Sequence, residues 1–231
     1  MATSTAIGFT YAAHAPLLTL ISADFGLDDV QAGLITTALF LAAAATMVVV
    51  GDVADRSSPR DANTWGLALA VVGNGASAIA PSYELLLLAK AVGGVGAGIA
   101  LLSGLGYLGR RYAGERSHFG QGLYGAGFPL GSAIALWLSP SIALGSGWRG
   151  AFALSTVGML IVLVAWLRAS PVERAPVQGT MVDALRCPNC WWTALQHAAG
   201  FGLTLAAGTW ITVYLVREFG LPLDASGLLG S

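Results

Sequence analysis

Apolar residues in this chain gather into long runs, and polar residues gather into short punctuation between them. The run from Leu39 to Val50 is broken only by the hydroxyl of Thr46. Such runs do not alternate in polarity, as the strands of a membrane barrel must. A bilayer core about 30 Å thick is crossed by about 20 apolar residues in a helix. Helix is the expected form because backbone in lipid must satisfy its own hydrogen bonds. Seven spans follow from this pattern, at 5–22, 30–50, 62–80, 83–108, 118–140, 147–168 and 191–216. Pro59, Pro81, Pro140, Pro171, Pro176 and Pro188 fall in or beside the predicted connectors, where helix breakers belong. Trp65, Trp137, Trp148, Trp166, Trp191 and Trp192 lie near predicted span ends, which predicts an interfacial aromatic belt.

Composition strengthens the picture. Of 231 residues, 55% are hydrophobic and 10% charged, with a mean hydropathy of +0.71. A soluble domain carries roughly 25% charged residues, so too few remain here to dress a water-facing surface. The partner implied is the lipid bilayer. A net charge of −1 gives no reason to expect nucleic acid. Ala13-His14-Ala15 resembles a signal cleavage site, but no Lys or Arg precedes Arg56. Without a basic leading region, the first segment reads as a retained span.

Basic residues set the orientation. The connectors after the second, fourth and sixth spans hold Arg56, Arg60, Arg110, Arg111, Arg116, Arg168, Arg174 and Arg186, whereas the other connectors hold Arg149 and Arg217. The positive-inside bias places the first group and the N-terminus in the cytoplasm, and the expectation is an integral, multi-pass protein of the plasma (inner) membrane. The longest polar connector, 169–190, divides a six-helix bundle at 1–168 from the start of a second bundle at 191–231. After Pro222, the segment Ala225 to Ser231 reads as the opening of an eighth span, so a longer natural chain is expected.

Between the second and third spans stands Gly51-Asp52-Val53-Ala54-Asp55-Arg56-Ser57-Ser58-Pro59-Arg60. This segment resembles the loop signature of the major facilitator superfamily at Gly51, Asp55, Arg56 and Arg60. It departs from that signature at Ser58, where a second glycine is usual, and at Pro59, where a basic residue is. Lys90-Ala91-Val92-Gly93-Gly94-Val95-Gly96-Ala97-Gly98 is similar to the family's basic residue followed by glycines, with Lys in place of the usual Arg. Gly127-Phe128-Pro129-Leu130-Gly131 loosely resembles its Gly/Pro-rich motif, and Gly147-Trp148-Arg149 opens the sixth span as is common there. The resemblance implies an all-α membrane fold: an N-terminal six-helix bundle, a seventh helix and the beginning of an eighth. It also implies that the loop motif governs conformation by latching two halves together.

The glycines have a second reading, as a dinucleotide-binding loop. That fingerprint needs a preceding strand, and these glycines lie within a helix. Gly94 and Gly98, like Gly127 and Gly131, are small residues four apart, which suits close helix packing in lipid. No cofactor is expected. Cys187-Pro188-Asn189-Cys190 is a redox or metal candidate, yet a structural zinc site wants four ligands and no second pair exists. The pair reads as incidental, and no metal is expected.

Charged or titratable groups inside a membrane default to function. His14 in the first span, Lys90 in the fourth and His197 in the seventh are the candidates, and Lys90 is the sole lysine. Tyr11 lies three residues before His14, on the same helical face. In the resembled family the first, fourth and seventh helices line a central cavity. Tyr11, His14, Lys90 and His197 are therefore the expected substrate-binding residues, and their basic character favours an anion. Asn74 in the third span reads as an interhelical bond. The function expected is secondary active transport of a small solute, leaning to an anion, by alternating access, with room for a coupling proton and no catalytic residues. A seven-helix receptor or photoreceptor is the alternative. It would want a Schiff-base lysine in the seventh helix, and none is there.

Overall fold

The computed structural model describes residues 1–112, 115–172 and 181–231, leaving aside the side chains of 50–56, 115, 181, 182 and 184. The first span is not one helix. Helix α1 (Ala2–Ala12) gives way to a 3-10 turn at Ala15–Leu17 before α2 (Leu18–Phe25) resumes. Pro16 sits in that turn, and a proline offers no N–H to the helical ladder. Helix α2 stops at Gly26 in the left-handed conformation, φ 66°, the usual helix-ending role of glycine.

Helix α3 (Asp29–Arg56) starts with a reciprocal cap. The Gln31 backbone N–H donates to Asp28 Oδ1 at 2.8 Å, and the Asp28 N–H donates to Gln31 Oε1 at 3.1 Å. Two otherwise orphaned donors are satisfied in this way. Helices α4 (Pro59–Ala78) and α5 (Tyr83–Arg111) follow. Proline in the first turn of α4 costs no hydrogen bond. Arg110 and Arg111 close α5, where positive charge complements the helix dipole.

Helix α6 (Glu115–Trp166) runs for 52 residues. At about 1.5 Å per residue it would be roughly two and a half times as long as a bilayer core is thick. Gly147 divides it, with φ 71° and ψ 172°, a region open essentially to glycine. Gln121 lies beside Gly109 and Trp166 packs on Tyr107, so both ends of α6 return to the C-terminal end of α5. The chain reverses at Gly147. The fifth span was predicted to end at Pro140, but the helix continues past Pro129 and Pro140 to the break. Neighbouring helices make proline tolerable within a membrane helix.

Short α7 (Met181–Arg186) leads into α8 (Pro188–Phe219), and α9 (Leu223–Gly230) completes the described chain. Among the described residues, five stretches are long and apolar enough to cross a membrane: Ala2–Phe25, Asp29–Val49, Tyr83–Arg111, Arg116–Trp166 and Pro188–Phe219. Helix α4 is more polar because its inward face carries Asn63 and Asn74, both buried. Asn74 Nδ2 donates to Thr10 Oγ1 at 2.9 Å, an interhelical bond between α4 and α1.

Small residues govern the packing. A Cβ on Gly94 would meet the Leu39 carbonyl, and one on Gly98 would meet the Ala43 carbonyl, so α5 lies backbone to backbone on α3. A Cβ on Gly131 would meet the Thr5 carbonyl, and one on Gly127 would meet Ser4 and Thr5, which brings α6 equally close to α1. Lipid supplies no hydrophobic drive between helices, so such close van der Waals approach is what holds them. The tryptophan belt is incomplete. Trp65, Trp137, Trp191 and Trp192 are exposed, but Trp148 is buried against Phe25 and Phe152.

Candidate functional site

Three of the four expected binding residues lie inside the six-helix part. Lys90 on α5 is 1% exposed, and its ammonium stands 3.7 Å from the centroid of the Phe152 ring on the second arm of α6. It does not snorkel to an interface. The electron-rich ring face attracts the cation, and Nζ makes no hydrogen bond to a described protein group. His14 stands at the break between α1 and α2 and is also 1% exposed. Its Nε2 shares a 2.8 Å hydrogen bond with Thr36 Oγ1 of α3, while Nδ1 has no described protein partner.

Tyr11 is buried one turn earlier on α1. Its ring meets Phe40 edge-on at 4.7 Å and Phe128 at 5.4 Å, and its hydroxyl has no described protein partner. His197 is placed differently. It lies on the exposed first half of α8 and stacks on Phe201 at 5.5 Å, and Phe201 in turn packs on Phe128 at 5.6 Å. An aromatic chain, Phe40–Tyr11–Phe128–Phe201–His197, thus connects the six-helix interior to α8. Thr193, Gln196, His197 and Thr204 line an open groove of about 460 Å³ along α8.

Thr36, Phe128 and Phe152 are the participants that sequence reasoning missed. A threonine or phenylalanine within a span reads as packing, and only tertiary contact reveals what it faces.

The loop motif splits in two. Gly51, Asp55 and Arg56 lie outside the residues whose side chains are described, and Arg174 lies outside the described residues. Arg60 Nε and Nη2 donate to the carbonyls of Ala169 and Leu167 at 2.7 and 2.8 Å. Trp166 Nε1 returns a bond to the Arg60 carbonyl at 3.1 Å. Arg60 therefore caps the C-terminal end of α6, where carbonyls lack helical partners.

At the opposite end, Asp24 Oδ2 accepts from Arg149 at 2.7 Å and from Trp148 Nε1 at 3.0 Å, and Arg149 also reaches the Ala80 carbonyl at 3.1 Å. Asp29 of α3 pairs with Arg217 of α8 at 2.8 Å. Between these two helices lies a second cavity of about 360 Å³, lined in part by Asp29, Thr36, Thr37, Thr209 and Trp210.

A bundle of apolar helices packed through glycines around buried basic residues defines an integral, multi-pass membrane protein. The family model of the Major Facilitator Superfamily matches residues 1–231. The chain belongs to that family, which is one of transporters and not of enzymes, and the receptor alternative is thereby set aside.

Among curated relatives, it is 28% identical over 226 residues to a probable nitrate/nitrite antiporter, NarK1, of Thermus thermophilus, covering 90% of this chain and 51% of that protein. It is 28% identical over 166 residues to the sialic acid transporter NanX of Escherichia coli, covering 72% of this chain and 40% of that protein. The chain thus spans about half the length of the curated relatives it matches. The fold is similar to the crystal structure of a bacterial homolog to the human lysosomal transporter Spinster, with a TM-score of 0.82, 18% identity, and coverage of 98% of this chain and 56% of that one. A D-xylose-proton symporter gives a TM-score of 0.75 at 14% identity, covering 99% and 63%.

Proposed function

We propose that this chain forms the N-terminal six-helix bundle (1–168), the connector (169–190) and the start of the second bundle (191–231) of a secondary transporter that moves a small anion by alternating access. The observation that carries the reading is Lys90, a buried ammonium facing an aromatic ring with no ion-pair partner among the described residues. A buried cation of this kind is costly unless an opposite charge joins it, and an anionic substrate supplies that charge when bound. Tyr11 and His14 are buried in the same six-helix part, where the Tyr11 hydroxyl and His14 Nδ1 have no described protein partner, and His197 stands on α8 beyond Phe201. The names of two relatives, a nitrate/nitrite antiporter and a sialic acid transporter, support an acidic substrate. The arginine bias supports a cytoplasmic N-terminus in the plasma (inner) membrane, and a proton is the coupling ion that His14 could carry.

Uptake of radiolabelled anions and neutral solutes into vesicles holding the full chain tests the reading. Lys90→Gln abolishes anion uptake, whereas Lys90→Arg, which keeps the charge, retains part of it. Undiminished anion binding by Lys90→Gln, or preference for a neutral or cationic solute, overturns the anion assignment.

A further inference from the structure

Cys187 and Cys190 take no part in the cavity, and the sequence alone gave them no role. Their geometry does. Cys187 is the N-cap of α8, in extended conformation with φ −86° and ψ 112°, and Pro188 occupies the first helical turn. The Cys190 backbone N–H donates to the Cys187 carbonyl at 3.1 Å, closing the first turn of α8 between the two cysteines. The backbone N–H groups of Cys190 and Asn189 and the Cys190 thiol, gathered in that turn, hold the Cys187 thiol below its ordinary range. A thiolate so stabilised at a helix N-terminus is the usual setting of a reactive cysteine. Both cysteines are free, Cys190 is exposed and Cys187 partly so. Trp191 Nε1 fixes the turn by donating to the Leu185 carbonyl at 2.8 Å.

We propose that Cys187 and Cys190 form a redox-active dithiol at the start of α8, closing to an internal disulfide by exchange with a small-molecule disulfide. The Cys187 thiolate attacks one sulfur of that disulfide, forming a mixed disulfide and releasing one small thiolate. Cys190 gives up its proton, and its sulfur attacks the Cys187 sulfur and expels the second small thiolate. Two protein thiols become one S–S bond, and the small disulfide is reduced to two thiols. The site lies in the connector predicted to face the cytoplasm, a compartment kept reducing. The dithiol is therefore the resting state and the disulfide forms under oxidative conditions.

Purified full chain, incubated across a series of reduced-to-oxidised glutathione ratios, is alkylated and the peptide containing both cysteines is weighed. The expected result is joint loss of both thiols with an internal disulfide. Cys190→Ser accumulates a lasting glutathione adduct on Cys187, and Cys187→Ser slows reaction at Cys190 several-fold. In the unaltered protein, phenylarsine oxide, which bridges two thiols, protects both from alkylation together. Equal and independent alkylation of the two cysteines at every ratio, persistent separate adducts, or failure of the arsenical to protect the pair overturns the proposal.

Discussion

At the end of the bundle where α2 meets α3, carboxylates meet arginines: Asp24 holds Arg149 and Asp29 holds Arg217. At the other end, Arg60 reaches main-chain carbonyls of the segment that follows α6. The difference lies in what each tie connects. Asp24–Arg149 and the Arg60 cap join helices within the six-helix part, whereas Asp29–Arg217 joins that part to α8. Exposed ion pairs are individually worth about 0–1 kcal/mol, so a tie of that kind breaks and reforms readily. A cap that satisfies orphaned carbonyls is a firmer fastening. The proposed alternating access needs rigid bundles and a weak latch, and Asp29–Arg217 is the tie suited to the latch.

The largest expected effect concerns the turn that presents Trp148 and Arg149. Gly147→Val forces a branched side chain into φ 71° and costs about 1–3 kcal/mol. Its signature is a lower melting temperature in detergent, and an unchanged melting curve argues against the reversal at Gly147. Next, Arg60→Ala removes both carbonyl bonds from the end of α6 and costs about 1–2 kcal/mol, again read by melting. If Arg149→Ala proves more damaging than Arg60→Ala, the ranking of the two ends is wrong.

Asp29→Asn sharpens the contrast because its effect on melting stays below about 1 kcal/mol. It should instead raise the reactivity of a cysteine placed at Thr209 towards a membrane-impermeant reagent, by loosening α8 from α3. Equal reactivity with and without the substitution removes the latch. The smallest effect on stability belongs to Asp55→Asn, which slows transport while expression and substrate affinity hold. Conformational populations shift only by differential stabilisation. A binding loss equal to the transport loss would make Asp55 an ordinary turn residue.

The spans were legible because lipid permits few alternatives to an apolar helix. Their interruptions were less so. Pro140 looked like a terminator but is carried inside α6, whereas Pro16, inside the first predicted span, stands in the 3-10 turn that separates α1 from α2. In each case neighbouring helices decide whether a proline is absorbed. Lys90 and His14 stood out in sequence because charge and imidazole are rare in lipid. Phe152 and Thr36, which face them, looked like ordinary filling. Arg217 and Asp29 stand at the two ends of the chain, and no local pattern pairs residues so distant.

The reversal at Gly147 also bears on how the chain enters a membrane during synthesis. The two arms of α6 are joined with almost no connector, so only Ser146, Gly147 and Arg149 add polar surface at the tip. Such a tip carries the single charge of Arg149 across the bilayer, and the arms on either side are apolar enough to follow it. The pair is therefore suited to enter as one preformed hairpin, without a separate signal to start the first arm and stop the second. Arg149 then finds Asp24, which was synthesised earlier and already waits at that surface.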